Sequence, residues 1–163
     1  MNELRTLINA HIDKWVAAGK YSLPDVNDCL TFIGAEIFEM HDARMRLNPA
    51  YVRNNEKTAQ ERNVAIELFD AIKMCFVYER ITGATLKPIN IELKNTNIKT
   101  MNHLAHLATS ALTFNDQDLQ SISHALIQEL VSVGIRLMHK LGYDLMDIAR
   151  EKLHKMDVKR GLT

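Results

Sequence analysis

The chain has 163 residues, 47% of them hydrophobic and 25% charged, and 20 basic residues against 20 acidic ones leave a formal net charge of zero. That composition fits one ordinary globular domain and excludes a disordered chain, and the charge balance argues against a protein whose main task is to hold a nucleic-acid polymer. No apolar run approaches the roughly 18–20 residues needed to span a bilayer, and the opening segment MNELRTLINAHIDKW has no signal-peptide core.

Two cysteines, Cys29 and Cys75, both among apolar neighbours, imply buried thiols and no disulfide framework. A reducing cytoplasm is the expected compartment, with no membrane partner.

The three prolines and six glycines fall almost wholly outside periodic segments, which leaves long stretches free to be helical. A first helix is expected over about residues 2–18, with Leu4, Leu7, Ile8, Ile12 and Trp15 on one side. Gly19-Lys20-Tyr21-Ser22 ends it, and Pro24 suits the first turn of a second helix running to about Leu47, before Asn48-Pro49. A third covers about 56–82 and ends near Gly83. Residues 84–98 break the pattern and read as either a loop or a short extended piece. A short helix follows around 99–112. Asn115 or Asp116 can cap a longer one through Leu119, Ile122, Leu126, Leu130, Val133 and Leu137, stopped at Gly142. Asp144 can cap a last helix through Leu145, Ile148, Leu153 and Met156. No repeat, low-complexity segment or linker interrupts the chain, so residues 1–163 read as a single all-α domain.

Residues three apart on a helix lie about 60° apart around its axis, so Glu36 and Glu39 project to one side of the second helix, and Glu67 and Asp70 to one side of the third. Such spacing is common on solvated faces, and the neighbours decide. Glu67 and Asp70 fall within the stripe Val64, Ala71, Met74, Val77, Tyr78 and Ile81. Glu36 and Glu39 share a side with Cys29, Phe32 and Ala43 and border Leu30, Ile33, Ile37 and Met40. A carboxylate in an apolar interface costs several kcal/mol unless compensated, and the two helices offer few cations on those faces. A hard divalent ion such as Mg²⁺, which takes carboxylate oxygens and keeps waters for a phosphate-bearing ligand, resolves the conflict. The plainer reading is that these acids are rim residues paired with Arg44, Lys73, Lys152 or Lys155.

Glu36-x-x-Glu39, a gap of 27 residues, and Glu67-x-x-Asp70 together resemble the signature of the MazG-like all-α nucleoside triphosphate pyrophosphohydrolases. Gly34-Ala35-Glu36-Ile37-Phe38-Glu39-Met40 looks like that superfamily's first acidic helix, and Ile66-Glu67-Leu68-Phe69-Asp70-Ala71-Ile72 its second. The ending from Ala149 to Gly161 is similar to the basic stretch that closes these domains. The resemblance runs from about residue 5 to 161. It implies a bundle of four to five main helices, completed by formation of a homodimer or homotetramer. It also implies Mg²⁺- or Mn²⁺-dependent hydrolysis of an NTP or dNTP to the monophosphate and pyrophosphate. Glu36, Glu39, Glu67 and Asp70 would then be the metal ligands and catalytic residues, one glutamate also orienting the attacking water. The chain departs from the family in carrying Ala35 and Ile66 where an extra acid often precedes each pair, and Asp157 where Asn is frequent. In that frame, 84–114 reads as an insertion.

Lys152, Lys155, Lys159 and Arg160 are placed to reach phosphate oxygens if the last helix packs near the acids, the alternative being a basic helix end favoured by its dipole. Trp15, Phe32 and Tyr78 are available to stack on a base, with Trp15 the substrate-binding candidate, although an aromatic at helical spacing is more often core. His41 points away from the acids on the helical wheel and is expected to be exposed. No phosphate-cradling Gly-rich loop is present. The competing functions are a non-catalytic helical interaction or oligomerisation protein, and a di-metal redox bundle. The latter usually needs Glu-x-x-His pairs, which neither acidic pair provides.

Overall fold

The computed structural model describes residues 1–47, 57–93, 96–114 and 120–162, and everything below concerns these. They form helices and connections with no strand: α1 (Asn2–Ala17), α2 (Val26–Met45), α3 (Lys57–Thr82), α4 (Asn97–Thr113), α5 (Gln120–Lys140) and α6 (Leu145–Arg160). The all-α expectation holds. There are six helices where four to five were expected, because α4 is a full 17-residue element rather than a minor one.

Local chemistry sets most of the ends. Asp25, not Pro24, begins α2: its carboxylate accepts from the Asp28 amide at 2.8 Å, and Pro24 lies just outside the helix. Thr96 caps α4, and Asp144 caps α6 by accepting from the amides of Met146 and Asp147. Gly161 ends α6 with a positive φ of 69°, a conformation that costs a residue without Cβ little. The expected caps at Asn115 and Asp116 and the stop at Asn48-Pro49 lie outside the described residues.

Helix α3 is the centre of the molecule. Every residue from 68 to 78 is buried, as befits a helix surrounded by neighbours rather than laid on a surface. Helix α2 packs along it in antiparallel fashion: the Cys29 thiol near the start of α2 donates to the Met74 carbonyl near the end of α3 at 3.4 Å. Helices α1, α5 and α6 also pack against α3, and α4 bridges α2 and α5. His41, expected to be exposed, is half-buried and pairs through Nε2 with the Met101 carbonyl at 3.1 Å, joining α2 to α4. One continuous apolar core draws residues from all six helices.

Residues 84–93 form neither helix nor strand. Side chains satisfy their backbone instead: Glu79 accepts from the Leu86 amide, Arg5 donates to the Leu86 carbonyl, Ser132 accepts from the Ile89 amide and Arg136 donates to the Ile91 carbonyl. Leu86 is buried, so this connection is pinned to the core at one point.

Two helical glycines make opposite predictions. A Cβ on Gly34 would meet nothing within 4 Å, whereas one on Gly134 would lie 3.3 Å from the Ile72 side chain, where α5 crosses α3 closely. Gly34→Ala should therefore stabilise by about 0.5–1 kcal/mol through helix propensity, and Gly134→Leu should destabilise by about 1–3 kcal/mol through overpacking. Urea unfolding of the two variants checks this. Equal effects would contradict the packing described.

Candidate metal centre

Antiparallel pairing of α2 and α3 brings the two acidic motifs together. One carboxylate oxygen each from Glu36, Glu67 and Asp70 lie within 4.8 Å of one another. Asp70 is buried at 4% exposure, while Glu36 and Glu67 are half-buried. Glu39 belongs to the same side of α2 but is exposed, because the 60° step from Glu36 turns it toward solvent. It flanks the three-carboxylate cluster without joining it.

The expectation of few cations at these faces is corrected. Lys73, one turn after Asp70 in the same apolar stripe, is 93% buried and donates to Asp70 Oδ1 at 2.6 Å. Lys152 reaches across from α6 and places its Nζ 2.5 Å from Asp70 Oδ2. Both oxygens of the buried acid are thus ion-paired, as the plainer reading anticipated for Lys73 and Lys152. Glu36 and Glu67 are a different matter: among the described residues neither has a hydrogen bond or ion pair. Three carboxylates against two ammoniums leave an uncompensated negative charge in a partly dry place, with Glu39 adding another nearby.

The electrostatics follow from this imbalance. Burial first, then the charge of Asp70, pushes the Glu36 carboxyl up to about 7, against the relief that Lys73 gives. Burial also raises Glu67, with Lys152 opposing and Asp70 and Glu39 reinforcing the shift. For Lys152, burial works against the charged form, but the hydrogen bond to Asp70 and the surrounding carboxylates outweigh it and the ammonium is held above its ordinary value. The donor set, all carboxylate oxygens with two of the three acids unpaired, fits a hard divalent cation such as Mg²⁺ or Mn²⁺.

The remaining residues singled out in the sequence go elsewhere. Trp15 is 2% exposed, its indole N–H donates to Asp157 Oδ1 at 2.5 Å, and the Arg160 guanidinium lies 4.5 Å from its ring centre. It is a core residue joining α1 to α6, with no face open for a base, which corrects its candidacy as a substrate platform. Arg160 is correspondingly committed to Trp15 and to Tyr21, 5.7 Å away. Lys155 pairs with Glu151 at 2.7 Å on the exposed side of α6. Of the basic residues on α6, Lys152 is the one that the structure brings to the acids. Phe32 is half exposed one turn before Glu36, and Tyr78 is buried.

Sequence reasoning missed Asp157. Its carboxylate, 5% exposed, accepts from Trp15 and pairs with Lys14 at 2.7 Å and His11 at 3.2 Å. Burial raises its pKa, but the hydrogen bonds from Lys14, Trp15 and His11 win and hold it at about 2. The residues span both ends of the chain, so no local pattern signals the network.

A cavity of about 800 Å³ lies elsewhere, at the C-terminal end of α2, lined by Arg44, Leu47, Val64, Ile98, Met101 and Tyr143, among others. None of the four motif acids lines it, so charge convergence rather than cavity size singles out the metal centre. No protein-family model, no curated protein and no solved structure matches this chain.

Proposed function

We propose that this protein is a Mg²⁺-dependent nucleoside triphosphate pyrophosphohydrolase of the MazG-like type, with Mn²⁺ as an alternative ion, converting an NTP or dNTP to the monophosphate and pyrophosphate. The observation that carries the reading is the meeting of Glu36, Glu67 and Asp70 within 4.8 Å, two of them without a partner. The order of the two acidic motifs and their gap support the choice of family, since the same pairing of motifs characterises the superfamily that the sequence resembles.

In this reading Glu36, Glu67 and Asp70 hold the ion and Glu39 contributes from the rim. When bound, the ion neutralises charge developing on the triphosphate and favours ionisation of a nearby water. Lys73 keeps Asp70 oriented from inside the core, and Lys152 supplies a positive charge at the mouth of the site for a phosphate oxygen. One of the two glutamates of the cluster, Glu36 or Glu67, would orient the attacking water and take its proton. The test is a panel of nucleoside triphosphates incubated with the protein and Mg²⁺ and scored for products. Monophosphate plus pyrophosphate is the expected result. Diphosphate plus orthophosphate, or no turnover across the panel, would reject the activity.

A second reading, a helical interaction or oligomerisation protein, is favoured by Phe38 at 62% and Met45 at 66% exposure, seven residues apart on the outward side of α2. The two readings are compatible if that face joins copies into the expected homodimer or homotetramer. An interaction protein alone would be indifferent to divalent ions.

A further inference from the structure

The two lysines on Asp70 are not equivalent. Lys73 belongs to the same helix as Asp70, is 93% buried and has its Nζ against Oδ1. Lys152 comes from α6, its side chain is 26% exposed, and its Nζ lies against Oδ2. An ion bridging Glu36, Glu67 and Asp70 needs an Asp70 oxygen that an ammonium now covers. Lysine is a compact charge on a flexible four-carbon stem, so the partly exposed one is the one free to leave.

We propose that Lys152 is an internal stand-in for the divalent ion: it holds Asp70 Oδ2 while the site is empty, gives up that oxygen when the ion arrives, and turns its ammonium outward to a phosphate oxygen of the incoming ligand. The inference rests on the divalent-ion reading above and adds a coupling to it. Ion binding and phosphate binding then help one another, because one event releases the cation that the other uses. Lys155, three residues on and paired with Glu151, carries the same charge on the same helix and serves as the control.

Two measurements test this on the full chain. In calorimetric titration with Mn²⁺ at pH 8, Lys152→Met should tighten ion binding by about tenfold relative to the unaltered protein, because the competing cation is gone. Lys155→Met should change it by less than about twofold, since an exposed charge is well screened. Should Lys152→Met fold poorly by circular dichroism, the second measurement uses the unaltered protein. Acetylation of lysines, followed by mass spectrometry, should modify Lys152 several-fold faster when Mn²⁺ is bound and leave Lys155 unchanged. Equal Mn²⁺ affinity in the unaltered protein and Lys152→Met, or Lys152 acetylation that does not rise with Mn²⁺, overturns the exchange and leaves the ion site standing. Absence of Mn²⁺ binding in both the unaltered protein and the variant overturns the ion site and the exchange together.

Discussion

Glu67→Gln should lower triphosphate hydrolysis by roughly a thousandfold or more while leaving the protein folded and, without divalent ions at pH 8, slightly more stable. The two effects have one cause. Glu67 is one of two half-buried carboxylates in the cluster that have no partner, so neutralising it removes repulsion from the ion-free state and a ligand from the loaded state. The pH dependence has a definite sign. The Glu36 carboxyl is held at about 7 in the folded protein against an ordinary value of 4.5, so the folded state keeps a proton that the unfolded chain has lost. Ion-free stability must therefore fall as pH rises from about 4.5 through 7. Discounted for the partial exposure of Glu36, the change is on the order of 1–2 kcal/mol. Stabilisation by Mg²⁺ should grow over the same interval, as the ligands ionise. Thermal unfolding at pH 5.5 and pH 8, with and without Mg²⁺, checks both signs. Stability that rises with pH in the absence of ions would contradict the electrostatic account.

Asp157→Ala should cost about 3 kcal/mol, which for a chain of this size corresponds to a fall of roughly 6–12 °C in Tm. The loss is large because the carboxylate is almost fully buried and its removal leaves the Trp15 indole N–H and the Lys14 and His11 side chains without their acceptor. Asp157→Asn should cost less, since an amide oxygen still accepts from Trp15 but its N–H₂ faces the Lys14 ammonium. The carboxylate, held at about 2, contributes stability that is present above its ordinary value of 3.8 and is lost as pH falls through about 2. The gap between the unaltered protein and Asp157→Ala should therefore narrow below pH 4. A gap constant with pH would mean that packing around Trp15, not the charge, holds α1 to α6.

How far the sequence went depends on the range of the interactions. Apolar spacing located the helices because periodicity is local, and the sidedness of Glu36, Glu67 and Asp70 was visible because acids stood inside apolar stripes. Lys73, three residues after Asp70, is legible from spacing as a partner for that acid, but the burial of the pair in the core is not. Lys152 meeting Asp70 depends on how α6 docks across α3, which no local pattern encodes. The same holds for Trp15, whose partner Asp157 is 142 residues away, and for His41, whose acceptor belongs to α4. Glu39 shows the limit of wheel arguments: the 60° step that places it on the side of Glu36 is also enough to carry it into solvent. Asp157 keeps its charge in the core because the Lys14 ammonium, the Trp15 indole N–H and the His11 ring surround its carboxylate.

The most direct measurement is a crystal structure of the protein grown with Mn²⁺ at pH 8, examined by anomalous scattering. An anomalous peak is expected among Glu36, Glu67 and Asp70, at about 2.0–2.2 Å from their oxygens, with the ammonium of Lys152 moved off Asp70. A map without a peak there, with Lys73 and Lys152 still closing both Asp70 oxygens, would contradict the account at its centre.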